Sequence, residues 1–533
     1  MLKTLLVAIN AKFSHTNLAV RCLKKALDAA DIPAEFAEFT INQPVDTILR
    51  EIAALSPGRV LFSCYIWNIA LVRRIGADLR LLFPDASILL GGPEVSFDAE
   101  ELLSTMPWAD GILCGEGEGI IAQVLSQPRP CGVFSADKFV DMDALPFPYD
   151  DLDALQHRVI YYESTRGCPF GCSYCLSSAD RTTRKRSLSL VFSDLQRLID
   201  AHVMQVKFVD RTFNLDADRA LQIWKYLAAH DNGTTCFQME LGGDLFTDEQ
   251  ISFLKTVRPG LFQFEIGVQS TYNQTMENVC RKTDFSILSK NVLAVHAAGN
   301  IHQHLDLIAG LPGEDFERFA QSYDDVFALQ PEQLQLGFLK LLRGSRLYAK
   351  RGEYDLIHSD FPPYEVLRTK ELPFHDLVRL KSVEDMTEVY YNSGRFKTTL
   401  HYLWEVCPSP FWAFLTLGEQ MPTMRNVGKY EYYDLLFAFA VKQGGDPEIL
   451  RWLIRFDLLR NERPKKLPKC CGEGLMPQFR KSLAQLDLPK HWAAEVFPFD
   501  VSDSKRTSGR IVIACDYTRR DALGHAHVET YPL

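Results

Sequence analysis

From residue 1 to about 126, short apolar runs alternate with helical patterns. Leu5 to Ile9 leads into a helix through Leu18 to Ala29, and Val60 to Cys64 into one through Val72 to Leu82. Ile88 to Leu90 leads into Ala99 to Leu103, and Gly111 to Cys114 into Ile120 to Leu125. Strand followed by helix, repeated, predicts a parallel sheet covered by helices on both faces. Several of these strands end in small or polar residues: Ile9-Asn10, Leu90-Gly91-Gly92-Pro93-Glu94 and Cys114-Gly115-Glu116-Gly117-Glu118-Gly119. Ligands of doubly wound sheets bind at such carboxyl ends, where glycine lets backbone approach closely, although glycine turns also serve as plain connectors.

The stretch Leu145-Pro146-Phe147-Pro148-Tyr149-Asp150-Asp151 is barred from a helix interior by its prolines and suits an extended linker. From about residue 158 the alternation resumes, with strands at Val159 to Glu163, Gln205 to Val209, Cys236 to Leu241, Gln263 to Gln269, His302 to Ile308 and Gln333 to Leu341. A helix from about Val191 to Ala201 follows the first. About six such units predict a full or partial β/α barrel with its active site at the carboxyl ends of the strands. From about 354 the pattern becomes helical and aromatic (Leu380 to Tyr391, Phe396 to Val406, Tyr430 to Val441, Glu448 to Leu459), with one late strand-like run, Gly509 to Cys515. The predicted class is α/β: a doubly wound, Rossmann-like domain at 1–130, a linker at 131–157, a full or partial barrel at 158–353 and a mainly helical domain at 354–533.

Composition narrows the possibilities. A chain of 533 residues, 47% hydrophobic, holds about three domains with ample cores. No run of about 18 apolar residues occurs, so no membrane span is expected, and the short apolar opening lacks a cleavage site. A net charge of −10 disfavours a general polyanion binder, and no nucleic-acid module is visible. The basic run Arg181 to Arg186 reads as a solvated loop or a local patch. Thirteen cysteines, mostly single and in apolar segments, fit a reducing cytoplasm better than a disulfide scaffold. The adjacent Cys470 and Cys471 have no assigned role.

The densest chemistry lies in Arg166-Gly167-Cys168-Pro169-Phe170-Gly171-Cys172-Ser173-Tyr174-Cys175. The C-x3-C-x2-C spacing places three thiolates around one corner of a cubane iron–sulfur cluster. Three ligands for four irons leave one iron open to a small molecule, whereas clusters that only relay electrons normally take four cysteines. A structural zinc site usually takes two separated ligand pairs, and no second pair lies downstream.

The loop resembles the signature of the radical S-adenosylmethionine (SAM) enzymes, C-x3-C-x-Φ-C, met by Cys168, Cys172, Tyr174 and Cys175. Three later stretches are similar to the successive strand motifs of that superfamily, in order. They are Glu265-Ile266-Gly267-Val268-Gln269-Ser270 with Arg281, Asp306-Leu307-Ile308-Ala309-Gly310-Leu311-Pro312-Gly313-Glu314, and Leu339 to Ser345 with Leu347-Tyr348. The resemblance implies a 4Fe-4S cluster on the three cysteines and SAM chelating the open iron. Gln269 and Asp306 would contact the ribose and Arg281 the carboxylate; Glu240 would face the same site or form a buried structural pair. In place of the superfamily's Gly-Gly-Glu run stands Phe208-Val209-Asp210-Arg211-Thr212-Phe213-Asn214, which resembles the cobalamin-dependent branch, with Asp210 as the substitute for holding the amino group.

The N-terminal region, through Gly91-Gly92-Pro93-Glu94 and Gly115-Glu116-Gly117-Glu118, looks like the cobalamin-binding domain of that branch, and 354–533 resembles an uncharacterised extension. Ser63, Gly91, Gly92 and Glu116 would then border cobalamin. The D-x-H-x-x-G motif of many such domains is reduced to Phe13-Ser14-His15-Thr16-Asn17-Leu18. It lacks the Asp that would orient the imidazole, so cobalamin bound without His15 on cobalt is expected. The loop Tyr65-Ile66-Trp67-Asn68 would cover the lower face of the corrin or simply pack.

The resemblance implies reductive SAM cleavage to a 5′-deoxyadenosyl radical and methylation of an unactivated carbon from methylcobalamin. The cofactors carry that chemistry, so no general acid or base is assigned. A rearrangement or cyclisation, or a radical SAM enzyme whose N-terminal domain is a docking or regulatory module, are the alternatives. An additional cysteine triad, as methylthiotransferases carry, is absent. The substrate, whether peptide, lipid or small metabolite, is not legible, and an external electron donor such as flavodoxin or ferredoxin is implied.

Overall fold

The computed structural model describes residues 3–533 apart from 137, 422–426, 476–478, 480–485, 487, 490, 502–505, 507 and 521–523. The chain forms two compact units, one comprising Met1–Asp315 with Phe338–Pro373, the other Phe316–Gly337 with Phe374–Leu533.

The first unit opens with β1 (Thr4–Asn10), α1 (Leu18–Ala29), β2 (Ala34–Thr40), β3 (Arg59–Ser63), β4 (Ser87–Gly91), β5 (Gly111–Cys114) and β6 (Gly132–Ser135). These strands form one parallel sheet in the order β2-β1-β3-β4-β5-β6. All seven residues of β1 are buried, as a strand covered on both faces requires. One face packs Val7, Ile9, Val60 and Phe62 against helices Val45–Ala54 and Ile69–Leu82; the other packs Leu6, Ala8 and Leu61 against Val20 and Leu27 of α1. The sequence pattern predicts four of the six strands. The missed ones, β2 and β6, are the sheet's edges: Ala-Glu-Phe-Ala-Glu-Phe-Thr has no continuous apolar run, because Glu35 of this edge strand stays in water and Glu38 takes ion-pair partners.

The same unit continues through β7 (Val159–Tyr162), β8 (Thr165–Arg166), β9 (Arg184–Lys185), β10 (Gln205–Phe208), β11 (Cys236–Leu241), β12 (Phe262–Gln269) and β13 (His302–Ala309). Five of them form a parallel sheet in the order β7-β10-β11-β12-β13, open rather than closed, so the barrel is partial. Here buried and half-buried residues alternate along β12. Phe262, Phe264 and Ile266 point into an apolar layer with Trp224, while Gln263, Glu265 and Gly267 take the opposite face. Among the described residues no helix is long and apolar enough to cross a membrane.

The second unit has helices Phe316–Phe327, Phe374–Met386, Lys397–Val406, Pro410–Glu419, Glu431–Lys442 and Pro447–Asn461. Thr387–Asn392 forms a π-helical turn ending near Gly394 at φ +66°, with Tyr390 buried against Phe396. An antiparallel sheet of Ala493–Phe499, Ser508–Arg520 and Ala526–Pro532 completes it. The sequence pattern predicts only the central one of these strands. The amide of Cys470 donates to Asp434, and its thiol is pushed up by its neighbour Cys471 and by burial.

Candidate functional site

The ribbon β8–β9 brackets the cysteine loop, since Thr165 pairs with Lys185 and Arg166 with Arg184. Gly167 starts the loop at φ +88°, and a Cβ there would lie 2.2 Å from the carbonyl oxygen of Thr182, so only glycine fits. The amide of Cys168 donates to Asp180 (3.0 Å) and that of Cys175 to Cys172 (3.2 Å). Cys168, Cys172 and Cys175 wall a cavity of about 940 Å³, its open mouth included, at the carboxyl ends of β10 to β13. No group of three or more His, Cys, Asp or Glu among the described residues is spaced for a single metal ion. A cubane, which spreads its ligands over several irons, does not need such spacing.

Tyr174, Glu240, Gln269, Arg281 and Asp306 line the same cavity. A register shift between β12 and β13 at Gly267 and Gln269 leaves Gln269 at φ +74°, a bulge that turns its amide toward the opening. Its Oε1 is buried without a hydrogen-bond partner, as is Oδ1 of Asp306. That Asp306 oxygen lies 3.1 Å from His304 Nε2, within ion-pair distance. Burial raises the Asp306 carboxyl, with His304 opposing. Two buried acceptors thus face the cavity, the chemistry that sugar hydroxyls satisfy. Glu240 is pushed up to about 7 by burial first and then by the like charge of Glu265.

Arg281 is braced against the cysteine loop. It donates to the carbonyl of Gly267, to Tyr174 Oη (3.5 Å) and to Cys172 Sγ (3.8 Å). Burial opposes its charge, and Tyr174 and Cys172 outweigh that cost. Asp210 departs from the sequence expectation. It does not wall the cavity: its carboxylate accepts from the Ser164 amide (2.8 Å) and hydroxyl (2.6 Å), and burial pushes it up to about 6. The cavity instead receives the next residues, Arg211 and Thr212.

A second, more apolar cavity of about 640 Å³ lies at the carboxyl ends of β3, β4 and β5 in the first sheet. Ser63, Gly91 and Gly92 line it, with Tyr65, Gly115, Gly117 and Glu118, and with Ala19, Val20 and Leu23 from α1. Ser63 Oγ is buried without a partner. Gly92 has φ +110°, and a Cβ there would meet the Cys64 carbonyl oxygen at 2.5 Å. Tyr65 stacks on Trp67 with ring centroids 4.4 Å apart. The groove is a fitting cradle for a large, flat, mainly apolar ring system with a polar tail.

Two residues of the N-terminal region lie elsewhere. Glu116 is not a wall: it accepts from the Val140 amide (2.7 Å) and pairs with Arg184 (2.6 Å) and Arg166 (3.5 Å). Arg166 also reaches Glu118 (3.0 Å) and Glu163 (2.7 Å), so this partly buried network ties the Gly-rich turn after β5 to the ribbon holding the cysteine loop. Its pattern, carboxylates in one loop and arginines distant in sequence, was not legible beforehand. His15 is also outside the cavity, with Nδ1 2.7 Å from Tyr161 Oη and burial lowering its basicity.

Fold and site define a chain that joins a doubly wound ligand-binding sheet to a partial barrel bearing an open-iron cluster motif. Family models agree: the B12 binding domain matches residues 4–125 and the radical SAM superfamily residues 162–326. A third, described as protein of unknown function (DUF4080), matches 352–524. The chain therefore combines a B12 binding domain with a radical SAM domain.

It is 24% identical over 333 residues to the cobalamin-dependent radical SAM methyltransferase TokK of Streptomyces tokunonensis, covering 53% of this chain and 47% of that protein. It is 23% identical over 311 residues to the anaerobic magnesium-protoporphyrin IX monomethyl ester cyclase of Rubrivivax gelatinosus, covering 52% and 55%. The solved structure of the cobalamin-dependent S-adenosylmethionine radical enzyme OxsB, with aqua-cobalamin and S-adenosylmethionine bound, shares the fold. Its TM-score is 0.59 over 92% of this chain and 85% of that one, at 15% identity. The chain spans about half the length of the curated relatives it matches.

Proposed function

We propose that the chain is a cobalamin-dependent radical SAM methyltransferase acting on an unactivated carbon. The observation that carries this reading is the pair of cavities in one unit, one walled by three cysteines, Asp306 and an unpartnered Gln269 oxygen, the other by Ser63, Gly91 and Gly92. When bound, the cluster, SAM and cobalamin would supply the electron, the radical and the methyl group. The chain's part is placement. Cys168, Cys172 and Cys175 would hold the cluster, and Arg281, packed on Cys172, would hold the SAM carboxylate and keep the loop in place. Gln269 and Asp306 would take the ribose hydroxyls, and Glu240 would face the same ligand. Ser63 and the Gly91-Gly92 turn would border the corrin tail, leaving His15 off the cobalt. A one-electron donor such as flavodoxin or ferredoxin would serve the cluster.

The cyclase relative supports a second reading, ring formation with the same cofactors. The two separate on products. With trideuteromethyl-SAM, cobalamin and a low-potential reductant, methyl transfer yields S-adenosylhomocysteine together with 5′-deoxyadenosine and moves the label to product. Cyclisation or rearrangement yields 5′-deoxyadenosine with no transferred label.

A further inference from the structure

Arg211, Arg281 and Lys282 line the cavity, and the two arginines are placed differently. Arg281 is half-buried and braced through its two Nη atoms on Gly267, Tyr174 and Cys172, with its Nε unpartnered. Arg211 is exposed at the mouth, and among the described residues its guanidinium makes no hydrogen bond or ion pair. Its backbone is nevertheless fixed. On one side Asp210 is anchored to Ser164, and on the other Thr212 sits with its hydroxyl 4.0 Å from Cys168 Sγ. The preceding strand, β10, is hydrogen-bonded between β7 and β11. A rigid stem thus presents an unspent planar fork beside the cluster loop. The fork also lies within electrostatic reach of Glu240 in the larger cavity and of Tyr65 in the wall of the smaller one. It lines the larger cavity, on the reaction space where a third molecule must be held for chemistry with the cofactors.

We propose that Arg211 is the anchor for the substrate, and that the substrate carries a carboxylate or phosphate. A guanidinium fork suits either anion bidentately, and an exposed, unpaired arginine next to a reaction space has no structural use for its charge. The proposal rests on the two-cofactor reading above. It also separates the substrate's anion from the two other sources of that chemistry, the SAM carboxylate and the phosphate of cobalamin.

Phenylglyoxal labelling of the protein loaded with iron, SAM and cobalamin, read by peptide mass spectrometry, tests it. Arg211 should label readily, and millimolar inorganic phosphate or succinate should slow that labelling at least about five-fold, whereas neutral succinamide should not. Absence of protection by both anions overturns the proposal. In parallel, SAM affinity by equilibrium dialysis and corrin uptake by absorption should stay within about two-fold in Arg211→Gln and Arg211→Lys. A ten-fold or larger loss of either in Arg211→Gln would hand the guanidinium to that cofactor and overturn the proposal. Labelling is repeated without cobalamin. Anion protection that persists while the chain takes up no corrin supports the anchor and removes only the two-cofactor reading.

Discussion

The two parallel sheets of the first unit arise from the same strand–helix repeat, yet they bury their strands differently. β1 is buried at every position, whereas β12 alternates along its whole length. The first sheet lies between helices on both faces, so its central strands are mainly apolar, and its cavity forms where the strands end in Ser63, Gly91 and Gly115. The second keeps one face polar. There Lys207 pairs with Glu265 (2.9 Å), Gln238 donates to Glu265 (3.1 Å), and His304 stands beside Asp306. One sheet grips its ligand by backbone and loop, the other by side chains along the strands. The difference predicts where substitutions are felt: at glycines in the first, at polar side chains in the second.

The largest effect should come from the cysteines. Cys168→Ala, Cys172→Ala or Cys175→Ala should remove bound iron and lower SAM cleavage at least about a thousandfold, while corrin uptake stays unchanged. Next, the glycine pair should separate the cavities. Gly92→Ala forces a Cβ against the Cys64 carbonyl and should cost about 2–3 kcal/mol locally, with corrin uptake lost and iron retained. Gly167→Ala meets the Thr182 carbonyl and should do the reverse. Equal loss of both cofactors in either variant would break the comparison.

Glu240 gives a smaller, pH-dependent effect. Its folded value of about 7 lies above the ordinary 4.5, so the fold binds this proton more tightly than the unfolded chain does. The stability it lends is complete below about pH 4.5 and is lost as pH rises to about 7. Glu240→Gln should remove that slope and gain about 2 kcal/mol on wild type between about pH 5 and 8, seen in urea midpoints of the apo chain. The smallest effect is expected from His15→Ala, which should change corrin affinity by less than about two-fold, because that ring faces Tyr161 and not the cavity.

Much of this was legible because periodicity reports burial. The interior strands β1, β3, β4 and β5 announce themselves as apolar runs, and the cysteine spacing marks the cluster loop without any fold. Edge strand β2 escaped because Glu35 and Glu38 interrupt it. Glu38 proves to be a buried acceptor for Asn17 (2.6 Å), Arg21 (2.7 Å) and Arg158 (3.1 Å). Those contacts depend on tertiary placement that no local pattern carries. The same holds for Asp210 and Arg211. Adjacent in sequence, they part company only when Ser164 captures the carboxylate and leaves the guanidinium at the cavity mouth. Glu116, quoted in a glycine-rich turn, likewise turns away to Arg184 while Gly115, Gly117 and Glu118 form the wall.

The central claim is that one chain holds two different cofactors in two cavities. It is tested most directly by loading the protein anaerobically with iron, sulfide and cobalamin, desalting it, and measuring iron and corrin on the same sample. The account predicts about four irons and about one corrin per chain, with corrin lost and iron kept in Gly92→Ala. Four irons without corrin in the wild type would contradict it.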